Sequence, residues 1–443
     1  MTTLIPQAID SIAALRRSER RVTVPGLKGS APALYVAELV RAGLENPLVI
    51  TPTQEAAEEF CRELAFFSTG DLHATLFPAW DAAPFSATSP HPDITGARLD
   101  TLFRMQNGLA RITVMPVAAA LQRVLPRKTL NDASCYLLAG EDFERDDLLA
   151  RLIRMGYANV PLVEDRGTFA VRGGILDIFP PNLTTPVRIE FFGDTAETIR
   201  AFDPLTQRSL QPIEELVLLP SRELLLSDEV LEDISPRLKK VCDDLDIPAN
   251  RRLILEDLQN TVYFQGIDFL QPLLHPGLET IFDYVPATAP LILLDPEGIS
   301  YASLSFCEEI EAGIAKAATT GFAHSPAGEL FLTDAELTAV VARRRVIELS
   351  GLLLDTPEAH TAIAIPCLDN GDLRVSVSKE SSNALAPLAN TLRSWLNGSE
   401  RIAIACHQQA QAERLKDLLT PYKLPCFISE SGFIEAVTTP TPS

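Results

Sequence analysis

Residues 168–203 contain a succession of short apolar segments separated by glycine or proline, and this feature most constrains the fold. Gly173-Gly174 separates the first two segments and can form a turn, because glycine adopts positive φ without steric cost. Pro180-Pro181 ends the second segment, since proline has no N–H for a sheet ladder. The pattern therefore predicts consecutive antiparallel strands at 169–172, 175–179, 186–192 and 197–202.

Strand alternation divides the side chains of this run between two faces. Side chains of a strand point to opposite faces with a period of two. Val187 and Ile189 therefore face the core, whereas Arg188 and Phe192 face the other way, as Arg172 does in the first strand. Two interpretations fit this pattern. Phe192 closes the core edge beside two solvated arginines, or the three side chains form a binding surface, for which arginine and aromatic residues are enriched.

Strand and helix patterns alternate through the first 125 residues and return after residue 213, which predicts an α/β domain with a parallel sheet. Between them, residues 126–213 have the pattern of an inserted α+β module. Residues 330–348 have the pattern of a short strand followed by a helix. Residues 380–443 predict a smaller α/β unit with strands at 401–406 and 426–429 and helices before and between them.

The first strand-to-helix loop lies where an α/β nucleotide-binding domain places its phosphate loop, GxxxxGK[ST]. The loop begins at Gly26 and contains Gly29, but Pro32 occupies the position of the lysine and Ala33 that of the hydroxyl residue. Phosphoryl transfer would lose its main electrostatic stabilisation without these two groups. We therefore expect a degenerate phosphate loop that binds no ATP, or an ordinary strand-to-helix turn.

A second candidate for nucleotide chemistry is the acidic pair Asp295 and Glu297, which follows the apolar strand 291–294. In a motor protein, acidic residues at this position coordinate Mg²⁺ and activate water. Here Pro296 separates the two acids, and the phosphate loop has no lysine. Helix capping or solvation is the simpler interpretation of this pair, and we expect no cofactor and no catalytic residue in this chain.

Charge and cysteine content exclude several other classes of protein. The net charge of −21 disfavours a nucleic-acid-gripping module, because such binding depends on lysine and arginine neutralising phosphates. The seven cysteines are scattered and form no CxxC pair, so neither a disulfide framework nor a zinc site is expected. No signal peptide pattern or membrane-spanning apolar run is present, which favours a cytoplasmic protein without membrane contacts.

Two segments carry a resemblance to a known family: RGTFAVRGGILDIFPP with PVRIEFFGDTAETIRAFDPLTQRSL, and FPAWDAAPF with SPHPDITGARLDTL. The chain resembles the N-terminal region of the bacterial transcription-repair coupling factors, the Mfd family, which is similar in turn to the excinuclease subunit UvrB. This resemblance implies a UvrB-like, degenerate P-loop-type body. Its expected domains are 1a (1–125), an inserted UvrA-binding domain 2 (126–213), 1b (214–350) and a small α/β domain 3 (380–443).

The resemblance implies a function for the exposed side chains of the inserted domain. The family's docking residues for UvrA, the damage-sensing partner, fall on Arg172, Arg188 and Phe192. The implied function is that of a non-catalytic adaptor linking stalled transcription to nucleotide excision repair. RNA polymerase and DNA would be contacted only by family domains that follow this region. The family's autoinhibited architecture further implies an intramolecular contact that masks the UvrA surface in a complete protein.

Three differences from UvrB favour this adaptor function over the main alternative, a UvrB-type DNA-dependent ATPase or helicase for damage verification. UvrB has an intact phosphate loop, a long aromatic β-hairpin that clamps DNA, and a second motor half. This chain has Pro32 and Ala33, a short loop at 80–92 without paired tyrosines, and no second motor half. A purely structural domain without a partner surface is the third alternative.

Overall fold

The structure is a computed structural model, and it describes most of the chain between residues 7 and 433. The described ranges are 7–16, 20–68, 73–226, 228–232, 234–248, 250–260, 262–351, 361–365, 367, 385–398, 402–406, 408–429 and 433.

The first part of the chain alternates strands and helices, as the sequence predicts. Thr53 caps the third helix by accepting a hydrogen bond from the Ala56 N–H at 3.2 Å, which satisfies one free amide of the first turn. The elements are α1 (Gln7–Arg16), β1 (Arg21–Pro25), α2 (Ala31–Arg41), β2 (Leu48–Thr51), α3 (Gln54–Phe67), β3 (Ala74–Leu76), α4 (Pro92–Gln106), β4 (Ile112–Pro116), α5 (Val117–Leu121), β5 (Arg123–Val124) and α6 (Arg127–Ala133).

The second part is built mainly from antiparallel strands around one helix. Its elements are β6 (Cys135–Leu138), α7 (Arg145–Arg154), β7 (Ala158–Asn159), β8 (Thr168–Arg172), β9 (Ile175–Phe179), β10 (Val187–Phe192), β11 (Thr195–Phe202), β12 (Ser209–Pro212) and β13 (Glu215–Leu218). Strands β8 to β12 pair antiparallel in chain order, and β7 pairs parallel with β8 at the edge of the sheet. The predicted antiparallel run is therefore confirmed.

The third part begins with short helices and ends with two strands. Its elements are α8 (Asp228–Glu232), α9 (Ile234–Asp244), α10 (Arg251–Gln259), a 3₁₀ turn (Ile267–Leu270), α11 (Gln271–Leu274), β14 (Glu279–Thr280), a second 3₁₀ turn (Ile281–Tyr284), β15 (Leu291–Leu294), α12 (Pro296–Thr320), α13 (Ala327–Leu330), α14 (Asp334–Arg343) and β16 (Val346–Ser350).

The prediction of a short strand followed by a helix at 330–348 is confirmed for the helix, α14, but only an isolated bridge at Phe331 precedes it, and the strand β16 was not predicted. Thr333 and Glu336 form a reciprocal capping box that starts α14, and the strand β16 follows that helix. β16 lies between β1 and β15 in the sheet, so the pairing that defines it comes from distant parts of the chain. Local pattern does not carry this information, because strand formation depends on packing against neighbours.

The predicted parallel sheet is confirmed: seven strands pair in the order β17-β1-β16-β15-β2-β4-β3, where β17 is Thr361–Ala362. Every pairing in it is parallel, and buried apolar side chains cover both faces, as expected for a sheet flanked by helices. The first and third parts of the chain build this one sheet together. The second part is therefore an insertion between them, and we call it the inserted module.

The boundary predicted at residue 213 separates β13 from strands with which it packs. β13 pairs antiparallel with β6, and Leu216 and Leu218 are buried in the same core as Leu148 and Leu152 of α7. We therefore place β13 in the inserted module. The sequence pattern identified the strand itself, but a strand's partner depends on tertiary pairing.

A buried ion pair joins the parallel-sheet body to the segment that leaves the inserted module. Arg98 of α4 and Glu223 are both nearly inaccessible, and the Arg98 Nε donates to Glu223 Oε1 at 2.6 Å. The Trp80 indole N–H donates to the same carboxylate oxygen at 3.0 Å. The Arg98 guanidinium also lies over the Phe77 ring. These contacts hold the loop after β3 against the chain that returns from the module.

The C-terminal unit differs from its prediction in the parts that the structure describes. Its helices are α15 (Ala386–Asn397) and α16 (Gln409–Leu419), followed by a 3₁₀ turn (Thr420–Tyr422). Residues 402–406 and 424–429 form no strand, so the predicted strands are not found within them; residues 401, 380–384 and 434–443 lie outside the described residues. Isolated short extended segments gain little from pairing without a larger sheet, which explains the difference.

Candidate partner-binding surface

The predicted docking residues Arg172, Arg188 and Phe192 lie on the face of the six-stranded sheet opposite the core that packs on α7. We call this face the module face. Strand register places Arg172 opposite Ile175, and Ile175 opposite Glu190. The next row contains Asp177 opposite Arg188. Adjacent strands lie about 4.8 Å apart, so the backbone of Arg172 is roughly 10 Å from that of Glu190 on β10, two strands away.

Arg172 lies at the end of β8 and is exposed. Its Nη2 donates to the Pro161 carbonyl at 2.8 Å, which orients the guanidinium but leaves its other N–H groups available for a partner. The β8–β9 turn that follows uses Gly173 at φ +60°, a conformation that glycine adopts without strain.

Phe192 lies at the end of β10, and 75% of its side-chain surface is exposed. Consecutive residues of β10 face opposite sides of the sheet, so Phe191 and Phe192 have different environments, and the ladder to β11 shifts register just before them, between Glu190 and Phe191. Phe191 packs partly into the module core, whereas Phe192 projects into solvent. A large exposed ring on the same sheet face as an exposed arginine has the composition of a binding hot spot.

A close backbone contact holds the ends of these strands together. The Phe191 N–H donates to the Gly174 carbonyl at 2.7 Å, and a Cβ at Gly174 would lie 2.8 Å from the Phe191 carbonyl oxygen. Glycine is therefore required at residue 174. The contact brings the β8–β9 turn against β10, and thus places Arg172 and Phe192 at the same end of the module face.

Arg188 lies on the predicted face of the sheet, but its side chain is largely enclosed by neighbouring residues and not freely exposed. Its Nε and Nη2 donate to the two oxygens of Asp177 at 2.7 and 2.9 Å, and its Nη1 donates to the Gln207 carbonyl at 3.2 Å. Its guanidinium also lies 4.8 Å from the centre of the Phe202 ring. The hydrogen bonds to Asp177 raise the pKa of Arg188 above its ordinary value. Alternation placed Arg188 on the correct face, but it could not reveal the neighbours that cover it.

Leu205 is an exposed residue of the module that strand reasoning missed. It lies in the β11–β12 loop with 87% of its side chain exposed. The Asp203 Oδ1 accepts hydrogen bonds from the Leu205 and Thr206 N–H groups, which gives this loop a defined turn. An apolar residue directly after Asp-Pro, in a turn without a core face, was the signal that could have found it.

The degenerate phosphate loop forms the turn between β1 and α2. Gly26 and Gly29 have φ of +81° and +54°, so both glycines are used for turning. The Gly26 N–H donates to the Ser350 carbonyl at 2.7 Å and is therefore occupied within the protein. Pro32 lies in the first turn of α2, where it presents no N–H, and Ala33 is buried.

A carboxylate lies beside the N-terminus of α2. The Ser30 hydroxyl donates to Glu63 Oε1 of α3 at 2.5 Å. The N-terminal end of a helix favours negative charge. Glu63 therefore provides at this helix end the negative charge that a bound phosphate would otherwise provide. The loop thus has a proline in the lysine position and an internal anion nearby, and its lysine, Lys28, lies before Gly29, away from the position that the phosphate-loop pattern requires.

Asp295 acts as a helix cap. It adopts φ of +60° at the start of α12, and its Oδ1 accepts a hydrogen bond from the Gly298 N–H at 3.1 Å. Pro296 occupies the first turn and Glu297 follows it, both positions that suit a helix start. This is the capping role that the sequence favoured for Asp295.

The described residues contain neither a candidate metal site nor a candidate membrane-spanning helix. In this part of the chain, no group of three or more His, Cys, Asp or Glu side chains is arranged to hold a metal ion. None of its helices combines the length and apolar character needed to cross a membrane.

Comparisons with known proteins give the family context. The family model described as the UvrB interaction domain matches residues 136–224, which include β13. The transcription-repair-coupling factor of Myxococcus xanthus is 34% identical over 99% of this chain and 37% of its own length. The Haemophilus influenzae factor is 32% identical over 58% of this chain and 22% of its own length, and the Escherichia coli factor 29% over 60% and 23%. The matched region thus spans between about a fifth and little more than a third of the length of these curated relatives.

Proposed function

We propose that this chain, which corresponds to the N-terminal region of the transcription-repair-coupling factors and contains a UvrB interaction domain, is a non-catalytic adaptor. In this proposal it recruits UvrA through the module face and so connects stalled transcription to nucleotide excision repair. One observation carries the proposal. Exposed Arg172 and Phe192 share one end of a sheet within the region that matches the interaction domain.

The chemistry of the module face supports protein recognition. Arg172 would donate charge-assisted hydrogen bonds to carboxylate or carbonyl groups of UvrA. Phe192 would enter an apolar pocket, where truncation of such an anchor costs about 2–4 kcal/mol of binding. Arg188 would act mainly by holding Asp177 and the Gln207 loop in place, with the free edge of its guanidinium at the margin of the surface.

The phosphate loop supports the non-catalytic part of the proposal. Pro32 and Ala33 remove the lysine and the magnesium-binding hydroxyl, and Glu63 lies beside the helix N-terminus. Asp295 is engaged as a helix cap. An ATP turnover assay with and without DNA tests this part, and hydrolysis above background would favour the UvrB-type ATPase instead.

Binding of purified UvrA to the whole chain tests the adaptor function. Arg172→Ala and Phe192→Ala are each expected to weaken binding by about 30-fold or more, the equivalent of 2 kcal/mol. Arg154→Ala and Ile153→Ala are matched controls. Both residues are exposed on α7, which packs on the opposite, core face of the sheet. If the two test variants bind UvrA as tightly as the two controls, the module face is not the UvrA site.

Autoinhibition in a complete family member is a separate part of the proposal. If another domain masks the module face there, this chain should bind UvrA more tightly than the complete protein does. Equal affinities would show that the face is open in both proteins.

A further inference from the structure

A cavity of about 490 Å³ lies in the parallel-sheet body, at the carboxyl ends of β2 and β4. Pro52, which follows β2, and Pro116, the last residue of β4, form one part of its wall, and the first turns of α12 form another. The crevice beyond the carboxyl ends of parallel strands is the usual ligand position in open α/β sheets. The cavity is separate from the degenerate phosphate loop, which follows β1 on the far side of β15 and β16.

The wall formed by the loop after β3 is held in one arrangement. The Trp80 N–H is bound to buried Glu223, and its ring packs edge-on against Phe269 at 5.7 Å. Pro84 of the same loop approaches α12 so closely that a Cβ at Gly313 would overlap its carbonyl. The indole therefore lines the cavity with a fixed orientation, and a ligand that packs on it need not order the site first.

Three features of the lining bear on the ligand. Four aromatic residues, Trp80, Tyr301, Phe306 and Phe331, lie among alanines and prolines, and Tyr301 of α12 is 77% exposed at the edge of the cavity. Gln122 is only 2% exposed, and its Nε2 has no hydrogen-bond acceptor among the described residues. Glu309 lies two turns after Tyr301 on the same side of α12 and contributes a carboxylate.

This lining determines the class of ligand. The cavity is lined by no lysine, arginine or histidine of the described part of the chain, so it offers no charge to a phosphate group. A buried amide N–H without a partner is costly, and a ligand carbonyl would satisfy it. Flat aromatic and proline surfaces suit a rigid apolar ligand, and a carboxylate at the edge suits an adjacent cation.

We propose that this cavity binds a proline-rich peptide segment of a partner protein, with a basic residue next to the prolines. A polyproline II segment has no internal hydrogen bonds, so its carbonyls are free to accept from Gln122. Its proline rings pack on Trp80 and Tyr301, as in other aromatic-lined grooves that recognise such segments. Its basic side chain pairs with Glu309.

Trp80 fluorescence provides a direct test with the whole chain. The chain has two tryptophans, so Trp395→Phe leaves Trp80 as the reporter. The probe is an acetylated, amidated hexapeptide, Pro-Pro-Leu-Pro-Pro-Arg, compared with the same peptide ending in Glu and with thymidine monophosphate. We expect a saturable change in emission with the arginine peptide and a weaker response to the other two.

Variants of α12 separate site binding from a general effect. Tyr301→Ala is expected to weaken peptide binding about tenfold, as removal of an anchoring aromatic does. Glu309→Gln should reduce the preference for arginine over glutamate by about 2–5-fold, the range of an exposed ion pair. Leu304→Ala is the matched control, because Leu304 is exposed on the same helix but does not line the cavity. The proposal is overturned if no peptide gives saturation, if thymidine monophosphate binds more tightly, or if Tyr301→Ala binds as tightly as Leu304→Ala.

Discussion

Replacing Arg188 by alanine should destabilise the inserted module, whatever its effect on the proposed UvrA binding. The guanidinium is the partner of Asp177, which is only 1% exposed and lies in the middle of the sheet. The variant Arg188→Ala removes both hydrogen bonds to this carboxylate, the bond to the Gln207 carbonyl, and the contact with the Phe202 ring. Asp177 then remains buried without its counter-ion.

The expected loss follows from how deeply each member of the pair is buried. Breaking a fully buried ion pair costs about 3–5 kcal/mol, because the remaining charge is uncompensated. Arg188 retains 16% exposure, so water can reach part of the vacated site. We therefore expect a loss of about 2–3 kcal/mol of module stability, with the cation–π contact contributing roughly 0.5–1 kcal/mol of it.

Native-state hydrogen exchange of β9, β10 and β11 measures this loss locally, which suits a chain with more than one folding unit. Arg172→Ala is the matched control, since Arg172 is exposed and its effect should stay within about 0.5 kcal/mol. Asp177→Asn combined with Arg188→Ala should recover part of the loss, because the buried charge is gone. Equal exchange protection in Arg188→Ala and Arg172→Ala would refute the reasoning.

Three further outcomes are expected. Arg98→Met should lower the free energy of unfolding by about 3–5 kcal/mol by leaving Glu223 buried without its partner, and an unchanged urea midpoint followed by Trp80 fluorescence would contradict this. Burial lowers the pKa of His275 to about 4, so the neutral ring contributes stability above its unfolded pKa of 6.5 that is lost as pH falls from 6.5 to 4. This loss should approach about 3 kcal/mol, and His275→Gln should remove that part of the pH dependence in matched unfolding curves. Asp295→Ala should destabilise α12 by about 1 kcal/mol with UvrA binding unchanged; equal exchange protection at the start of α12 would show that the cap is dispensable.

Sequence patterns predicted the elements whose signals are local. The antiparallel strands of the module follow from period-two alternation and glycine turns, and α3 follows from its Thr53 cap. The interruption of the phosphate loop is also a local property, because Pro32 and Ala33 change the chemistry whatever surrounds them. Patterns failed where long-range pairing decides the outcome, as at β16 and in the strands expected after residue 400.

For the module face, the sequence by itself determined which side chains leave the core, since alternation assigns Arg172, Arg188 and Phe192 to one side of the sheet. Only the tertiary structure decided which of them are open to a partner. Asp177 and the Gln207 loop lie far enough along the chain that no local pattern links them to Arg188, and they enclose its guanidinium. Strand geometry thus sets direction, whereas accessibility depends on what the rest of the fold places alongside.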